Sequence, residues 1–239
     1  MHAPSFRPRL ATRATRAAGL GLLLLVGCDW RTPARVPGDS GSYDLSDLAS
    51  GTSDWRSPRK DLGKRPSLRI DTIGENLVLV VPADAGQASR WRRKVRWDAG
   101  SHPILTWTWG LDHGTDSAMF KRRRGPAATM AVDVTLASTF GFHKTIRYIW
   151  SARRDKGSVW ANRDSWHPKV RVLRDVRDSV GTMVSERVDV WNDFQELWGY
   201  TPRHQSLAIA VSVQDPDAKH AIEGRFGAIL AHPKENPLP

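Results

Sequence analysis

Eleven tryptophans stand out among the residues of this 239-residue chain that could do chemistry. Trp107 and Trp109 alternate along one apolar run, Trp150 lies near the end of another, and Trp166 lies in a polar stretch. Exposed aromatic rings offer flat binding surfaces, for example for sugar rings, whereas alternating strand residues on one face usually form core. Both interpretations stay open for Trp107 and Trp109. We take all four tryptophans as candidate ligand-binding residues.

Two pairs of aspartates are further candidates for a binding site. Asp189 and Asp193 lie four residues apart, and Asp215 and Asp217 follow an apolar run with Pro216 between them. Carboxylate oxygens are ligands of Ca²⁺, which takes about six to eight of them. Aspartates beside a proline also form turns with their own backbone. We therefore predict no cofactor and keep a structural calcium ion at Asp215 and Asp217 as the alternative.

The segment 90–97 reads Arg-Trp-Arg-Arg-Lys-Val-Arg-Trp and mixes cations with aromatic residues. Such a mixture suits the headgroup region of an anionic membrane, where each basic residue contributes about 1 kcal/mol. It also suits a strand edge whose cations are solvated and whose tryptophans point inward. The sequence leaves both interpretations open.

Motifs of established catalytic chemistry are missing from the sequence. It contains no Gly-x-Ser-x-Gly elbow, no His-Glu-x-x-His pair and no phosphate-binding glycine loop. Paired acids serve a glycosidase when their carboxyl groups lie about 5–10 Å apart, a distance that chain spacing does not fix. A hydrolase or lyase that uses Asp189, Asp193 or Asp215 therefore stays as an alternative to a binding protein.

The N-terminal segment has the properties of a bacterial export signal. Four arginines and no acids precede an apolar run that is too short to span a bilayer. The run ends in Leu25-Val26-Gly27-Cys28, which resembles the lipobox of bacterial lipoproteins. That resemblance implies cleavage after a signal peptide of residues 1–27 and acylation of Cys28, and it accounts for a lone cysteine in an exported chain.

Acylation at Cys28 would place the protein in the cell envelope, facing the periplasm, with the lipid membrane as a partner. Asp29 favours the inner over the outer membrane. Cleavage would leave 212 residues and lower the formal net charge from +11 to +7. A basic domain favours anionic partners, and export makes nucleic acid an unexpected one. A genome that favours arginine is the competing explanation for the charge.

The pattern of apolar residues predicts the fold. Residues 28–65 are rich in Gly, Ser, Pro and charged residues and are predicted to form a flexible tether. Residues 66–239 are predicted to form a single all-β domain, an antiparallel β-sandwich of jelly-roll-like form. One short helix is predicted over 190–198, with Asp189 at its start and Gly199 at its end. The predicted strands are 68–73, 77–81, 104–111, 130–136, 145–150, 170–173, 183–190, 207–213 and 225–231.

From Ser89 onward the chain carries an ordered set of motifs: His102–Trp109, Tyr148-Ile149-Trp150-Ser151, Glu186–Val190, Asp193-Phe194, Trp198-Gly199 and Gln214–Asp217. This set resembles a bacterial family of exported proteins, the domain of unknown function DUF3047. The resemblance implies a jelly-roll-like sandwich and no settled activity. The chain departs from the family's pattern at Thr108, where the family tends to have arginine, and at Ala218-Lys219, where it tends to have Asn-Thr.

Taken together, these features favour a membrane-anchored domain that binds a glycan or another anionic component of the envelope without catalysis. A hydrolase or lyase acting on polysaccharide is the first alternative. A structural subunit that binds an envelope protein is the second. An exposed aromatic strip would support the binding domain, a cleft with converging carboxyl groups the enzyme, and a broad apolar patch the structural subunit.

Overall fold

A computed structural model describes residues 31–36, 41–57, 67–111, 128–139, 141–151, 153–161, 167–175, 177–178, 181–214 and 221–234. Short strands dominate these residues, as alternating apolar patterns with turns between them require. The elements are β1 (Ala34–Arg35), β2 (Tyr43–Asp44), a 3-10 helix (Leu48–Ser50), β3 (Trp55–Arg56), β4 (Arg69–Ile73), β5 (Asn76–Ala83), β6 (Ala88–Arg93), β7 (Ile104–Leu111), β8 (Ala128–Ser138), β9 (His143–Ser151), β10 (Val159–Ala161), β11 (Lys169–Arg174), β12 (Val184–Asp189), α1 (Val190–Trp198), β13 (Pro202–Gln214), β14 (Ile222–Phe226) and β15 (Leu230–His232).

The strands form two sheets that pack face to face as a β-sandwich of jelly-roll type. Sheet I has eight strands in the order β1-β2-β15-β7-β14-β5-β4, with β12 on the other edge of β7. Sheet II has seven strands in the order β10-β11-β9-β8-β13-β6-β3. The inner faces meet in one large cluster of buried residues, to which Trp109 and Phe226 contribute from sheet I and Val132 and Val211 from sheet II. The predicted fold class is confirmed.

Two connections differ from the predicted pattern. Strand β11 pairs with β9 in parallel, whereas the other strand pairs among the described residues are antiparallel apart from an isolated bridge. The predicted closing strand 225–231 is two strands, because the chain leaves the ladder at Gly227. Its amide donates to the carbonyl of Thr108 over 2.8 Å, and a Cβ there would lie 2.2 Å from Thr108 Oγ1. Glycine is therefore required where β14 gives way to β15.

The helix α1 begins and ends where the sequence predicts. The Asp189 carboxylate accepts hydrogen bonds from the backbone amides of Trp191 and Asn192, which satisfies donors of the first turn. Gly199 ends the helix in the left-handed region, with φ of 74°. Phe194 is fully buried on the inner side of the helix.

The predicted flexible tether is wrong for residues 41–57. Leu45, Leu48 and Trp55 are at most 4% exposed and belong to the main core. Strand β2 extends sheet I beside β15, and β3 extends sheet II beside β6. The segment is folded because its few apolar residues all reach the core, although its average composition is that of a linker.

A buried arginine holds this segment in place. Arg93 is 2% exposed and points inward from β6. Its guanidinium donates to the carbonyl of Leu45 over 2.6 Å and to the carboxylate of Asp47 over 2.9 Å. It also lies 3.5 Å from a carboxylate oxygen of Asp54. These contacts satisfy a charge that burial would otherwise disfavour.

Replacing Leu45 by alanine should lower the free energy of unfolding by about 3 kcal/mol, because a fully buried leucine leaves a cavity in the core. Urea denaturation followed by tryptophan fluorescence measures this change. The matched control is Leu77→Ala, since Leu77 is 39% exposed on the β4–β5 hairpin. Equal, small effects of both substitutions would mean that the segment is a tether after all.

Candidate functional site

Three of the four candidate tryptophans are buried and offer no surface to a ligand. Trp107, Trp109 and Trp150 are 2%, 0% and 0% exposed. The indole of Trp109 donates to Glu186 over 3.0 Å, and that of Trp150 donates to the carbonyl of Asp175 over 3.0 Å. The sequence prediction of a stacking platform is therefore wrong for these three residues. Their alternation along β7 and β9 directs them to the inner face.

Asp189 and Asp193 also have structural roles. Asp189 caps α1, as described above. Asp193 is buried, accepts a hydrogen bond from the hydroxyl of Tyr148 over 2.7 Å, and lies 3.2 Å from Arg171. Burial raises the pKa of Asp193, and the hydrogen bond from Tyr148 and the charge of Arg171 oppose that rise. The two carboxylates join α1 to the sandwich and do not face a common cleft.

The other predicted site residues cannot be placed. Trp166, Asp215, Asp217 and Cys28 lie outside the described residues. Among the described residues, no group of three or more histidine, cysteine or acidic side chains is arranged to hold a metal ion. The possible calcium site at Asp215 and Asp217 therefore stays a prediction.

Sheet II carries on its outer face a row of charged residues that the tryptophan analysis does not predict. The residues lie directly opposite each other in neighbouring strands, and such residues point to the same side of a sheet. Their neighbours along each strand, such as Trp91, Val132 and Tyr148, belong to the core. We call this set the basic row: Arg56, Arg92, Ala210, Asp133, Arg147, Val170 and Trp160.

Asp133 lies near the middle of the basic row and is 1% exposed. Its carboxylate accepts two hydrogen bonds from Arg147, over 2.7 and 2.9 Å. The guanidinium of Arg90, which precedes Arg92 on the same face of β6, lies 2.7 Å from the same carboxylate. The hydrogen bonds that Arg147 donates to Asp133 raise the pKa of Arg147. One buried carboxylate therefore holds two arginines in fixed positions.

Arg92 has no such partner. In the residues that the structure describes, no acidic side chain forms an ion pair with Arg92, which is partly buried. Burial lowers its pKa, and the neighbouring charge of Arg90 lowers it further. Arg56 lies directly opposite Arg92 and, within the described ranges, its guanidinium donates to the backbone carbonyls of Ser53 and Trp55. The surroundings of Arg92 therefore favour the approach of an anion.

The centre of sheet II presents small residues between the arginines. Ala210 lies between Arg92 and Asp133 in the basic row, and Ala131 and Ala208 occupy outward positions beside it. Neighbouring strands are about 4.8 Å apart, so the basic row is roughly 29 Å wide and Arg92 lies about 14 Å from Arg147. The three alanines are at most 2% exposed, so a ligand on this face would contact the arginine side chains and not the alanines between them.

Trp160 ends the basic row on β10. Its ring packs against Ala131, Ile149, Val170 and Val172, a small apolar cluster on the outer face of sheet II. The guanidinium of Arg154 lies over the ring, 4.6 Å from its centroid. Both an apolar cluster and a cation already contact the ring, so Trp160 supports this end of the sheet.

A separate cleft of about 770 Å³ lies against sheet I. Thr106, Thr108, Glu186 and Asp44 contribute to its walls together with the tip of the β4–β5 hairpin. Glu186 accepts from Arg174 over 2.6 Å, and one oxygen of Asp44 accepts from Ser46 and Asp47 within the same turn. These two carboxylates therefore stabilise the fold and are not arranged as an acid–base pair.

The sequence model of one protein family, described as "Protein of unknown function (DUF3047)", matches residues 55–230. This match covers most of the chain. The protein belongs to the DUF3047 family. The resemblance stated from the sequence motifs is thereby confirmed. Every residue of the basic row, from Arg56 at one end to Trp160 on β10, lies within the matched segment.

Solved structures with a similar path of the chain are sugar-binding or sugar-cleaving proteins by their titles. An endoglucanase of Rhodothermus marinus is 11% identical, with a TM-score of 0.46, and the match covers 81% of this chain and 96% of that one. A family 11 carbohydrate-binding module of Clostridium thermocellum is 10% identical, with a TM-score of 0.46, over 83% and 98% of the two chains. At such values the likeness concerns the fold of the DUF3047 domain and not its activity.

No functionally curated protein matches the DUF3047 chain in sequence. Among the described residues, no helix is both long and apolar enough to cross a membrane.

A turn beside the basic row depends on one carboxylate. Asp175 accepts hydrogen bonds from the amides of Lys156 and Arg177, over 3.0 and 2.9 Å, and from the guanidinium of Arg177. The backbone carbonyl of Asp175 accepts a hydrogen bond from the indole N–H of Trp150. The hydrogen bond from Arg177 holds the pKa of Asp175 well below its usual range. Asp175 therefore fixes the segment after β11 against the loop before β10.

Replacing Asp175 by asparagine should lower the free energy of unfolding by about 2 kcal/mol at pH 7, since hydrogen bonds to a charged group are lost. A lowered carboxyl pKa stabilises the fold above the unfolded value of about 3.9, and this stabilisation is lost as the pH falls below it. The difference from wild type should therefore narrow between pH 7 and pH 3 in urea titrations. The control Asp155→Asn, at a 90% exposed side chain, should have little effect at either pH; a pH-independent deficit would contradict the assignment.

Proposed function

We propose that the protein is an envelope lipoprotein whose domain binds an acidic glycan through the outer face of sheet II. The ligand's carboxylate, sulfate or phosphate groups would pair with the arginines of the basic row and with Arg90. Guanidinium groups form two parallel hydrogen bonds with such oxyanions, which gives both strength and orientation. The proposal assigns binding and no bond cleavage.

The charge of Arg92, for which the described part of the chain supplies no acidic ion-pair partner, carries this proposal. Asp133 compensates part of the charge of Arg90 and Arg147, but Arg92 and Arg56 have no acidic partner among the ion pairs of the described residues. Four arginines against one aspartate leave a local surplus of positive charge on one face. An anion bound beside Arg92 would relieve the repulsion from Arg90, so binding would replace an unfavourable interaction by a favourable one.

The shape of the face favours a polymer over a single small anion. The arginines lie at two places in the basic row, near β6 and on β9, about 14 Å apart. Hydroxyl groups are present beside them, because Thr135 and Thr145 share a 3.0 Å hydrogen bond on the same face. A chain that carries anions at intervals, with hydroxyl groups between them, matches this arrangement. Acidic polysaccharides have this chemistry.

The proposed location follows from the N-terminal sequence. The lipobox-like segment supports an acylated Cys28, and the export signal supports a domain that faces the periplasm. Asp29 favours the inner membrane. Envelope polysaccharides with carboxylate groups would then be within reach of the domain.

The alternatives of the sequence analysis receive less support. A hydrolase or lyase would need carboxyl groups that are free to act, whereas Asp189 and Asp193 are engaged in capping and in a buried hydrogen bond. A structural subunit would need a broad apolar patch. The exposed large apolar residues in the described part, Ile73, Leu77, Phe142 and Val159, lie on three separate turns or edges.

Replacing Arg92 by glutamine should lower the affinity for polygalacturonate about tenfold, because one charge-assisted interaction is lost. The assay is calorimetric titration of the chain from residue 28 with Ser in place of Cys28, which contains every described residue. Arg69→Gln is the control. Arg69 is an exposed arginine on β4 that pairs with Glu223 on β14, also in sheet I, and its loss changes the net charge equally.

The pattern of these titrations decides the proposal. Wild type should bind polygalacturonate and fail to bind a neutral glucan, and Arg69→Gln should match wild type. If Arg92→Gln binds as tightly as wild type, or if both variants weaken binding alike, the basic row is not the binding site.

Replacing Cys28 by serine should abolish incorporation of labelled palmitate and release the protein from membranes washed in high salt, since the acyl chains supply the anchor that salt does not screen. Fractionation of cells that express each form, with a high-salt wash, measures this change. Membrane association that persists in high salt without labelling would show that Cys28 is not the anchor, and it would leave the binding function of sheet II to be judged by the titrations alone.

A further inference from the structure

The folded domain begins almost immediately after Cys28. Arg31 already forms a bridge with Val95, and its carbonyl accepts a hydrogen bond from the amide of Arg96 over 3.1 Å. Two residues, Asp29 and Trp30, lie between Cys28 and Arg31. Three Cα–Cα steps span at most about 11 Å. An acylated Cys28 would therefore hold the surface around Arg31 within the headgroup region of the bilayer.

That surface is basic. Lys94 and Arg96 are exposed and alternate with the buried residues Val95 and Trp97, so both side chains point away from the core. The side chain of Arg31 is 53% exposed and pairs with Asp54 over 3.2 Å. Asp98, an acid on the same segment, is bonded to His204. The described residues at this place therefore carry three cations, Arg31, Lys94 and Arg96, and two acids, Asp54 and Asp98.

We propose that the domain sits directly on an anionic lipid surface through Arg31, Lys94 and Arg96. The proposal takes the position of the surface from the proposed anchor at Cys28. Basic residues close to an anionic leaflet are attracted to its headgroups over about a Debye length.

This seating orients the proposed glycan site. Arg90, Arg92, Lys94 and Arg96 all project from the same side of β6 and of its extension, because residues two apart share a face. Arg92 and Arg96 are about 13 Å apart along an extended chain. The basic row would then open beside the membrane, and a bound glycan would lie along the surface of the leaflet.

The test is vesicle sedimentation of the chain from residue 28 with Ser in place of Cys28, so that no acyl chain contributes. Vesicles of phosphatidylcholine with phosphatidylglycerol are compared with vesicles of phosphatidylcholine alone. The double variant K94Q/R96Q should lower the partition coefficient for the anionic vesicles about 30-fold. The control R69Q/K156Q also removes two exposed cations and should change it by less than about threefold.

Failure to bind anionic vesicles, or equal loss in both double variants, would overturn the proposal, because binding would then be absent or would follow net charge alone. The same proteins titrated with polygalacturonate separate this result from the proposed function. K94Q/R96Q should bind the glycan within about threefold of wild type. If K94Q/R96Q loses vesicle binding but keeps glycan binding, the proposed contact with the membrane is supported. If R92Q binds the glycan as tightly as wild type, only the proposed function of the basic row is contradicted.

Discussion

Strand β6 and the residues after it place their side chains alternately on the two sides of sheet II. Arg93, Val95 and Trp97 are buried, whereas Lys94 and Arg96 are exposed and Arg90 and Arg92 face outward. The inward arginine fixes the segment 45–54, which completes the sandwich. The outward cations create the charged face. A shift of one residue in the register of β6 would turn the outward cations into the core and expose Arg93, Val95 and Trp97.

Asp133 makes this concentration of charge tolerable. It binds Arg90 and Arg147 at once and offsets one of their two charges, while Arg92 and Arg56 have no acidic ion-pair partner among the described residues. A fully compensated face would have little attraction for an anion, and an uncompensated one would destabilise the fold through repulsion. The observed balance keeps the arginines ordered and leaves part of their charge available to a ligand.

The fold was largely predictable because period-two alternation and turn residues are local signals. The helix was predictable for the same reason, from Asp189 and Gly199. The segment around Leu45 and Trp55 was not, since its strands have only two residues each and its core contacts are long-range. The split at Gly227 depends on the proximity of Thr108, which no local pattern reveals.

The binding face was harder to predict than the fold. Alternation showed that Trp107 and Trp109 share a face but not that this face is the inner one. The charges at 90, 92, 94 and 96 were a visible signal, yet their meaning depends on Arg56 and Asp133. The order of strands in sheet II places Arg56 on β3, directly beside β6, and Asp133 on β8, with β13 between β8 and β6. Spacing along the chain does not reveal this order.

The most direct test of the account is an NMR titration that resolves the arginine Nε–Hε groups of the chain from residue 28 with Ser in place of Cys28. Galacturonate oligomers are the ligand. The account predicts the largest shift changes at Arg92, Arg56 and Arg90, with no change at Arg69. Changes confined to Arg187, which lines the cleft beside sheet I, or spread evenly over exposed arginines, would contradict it.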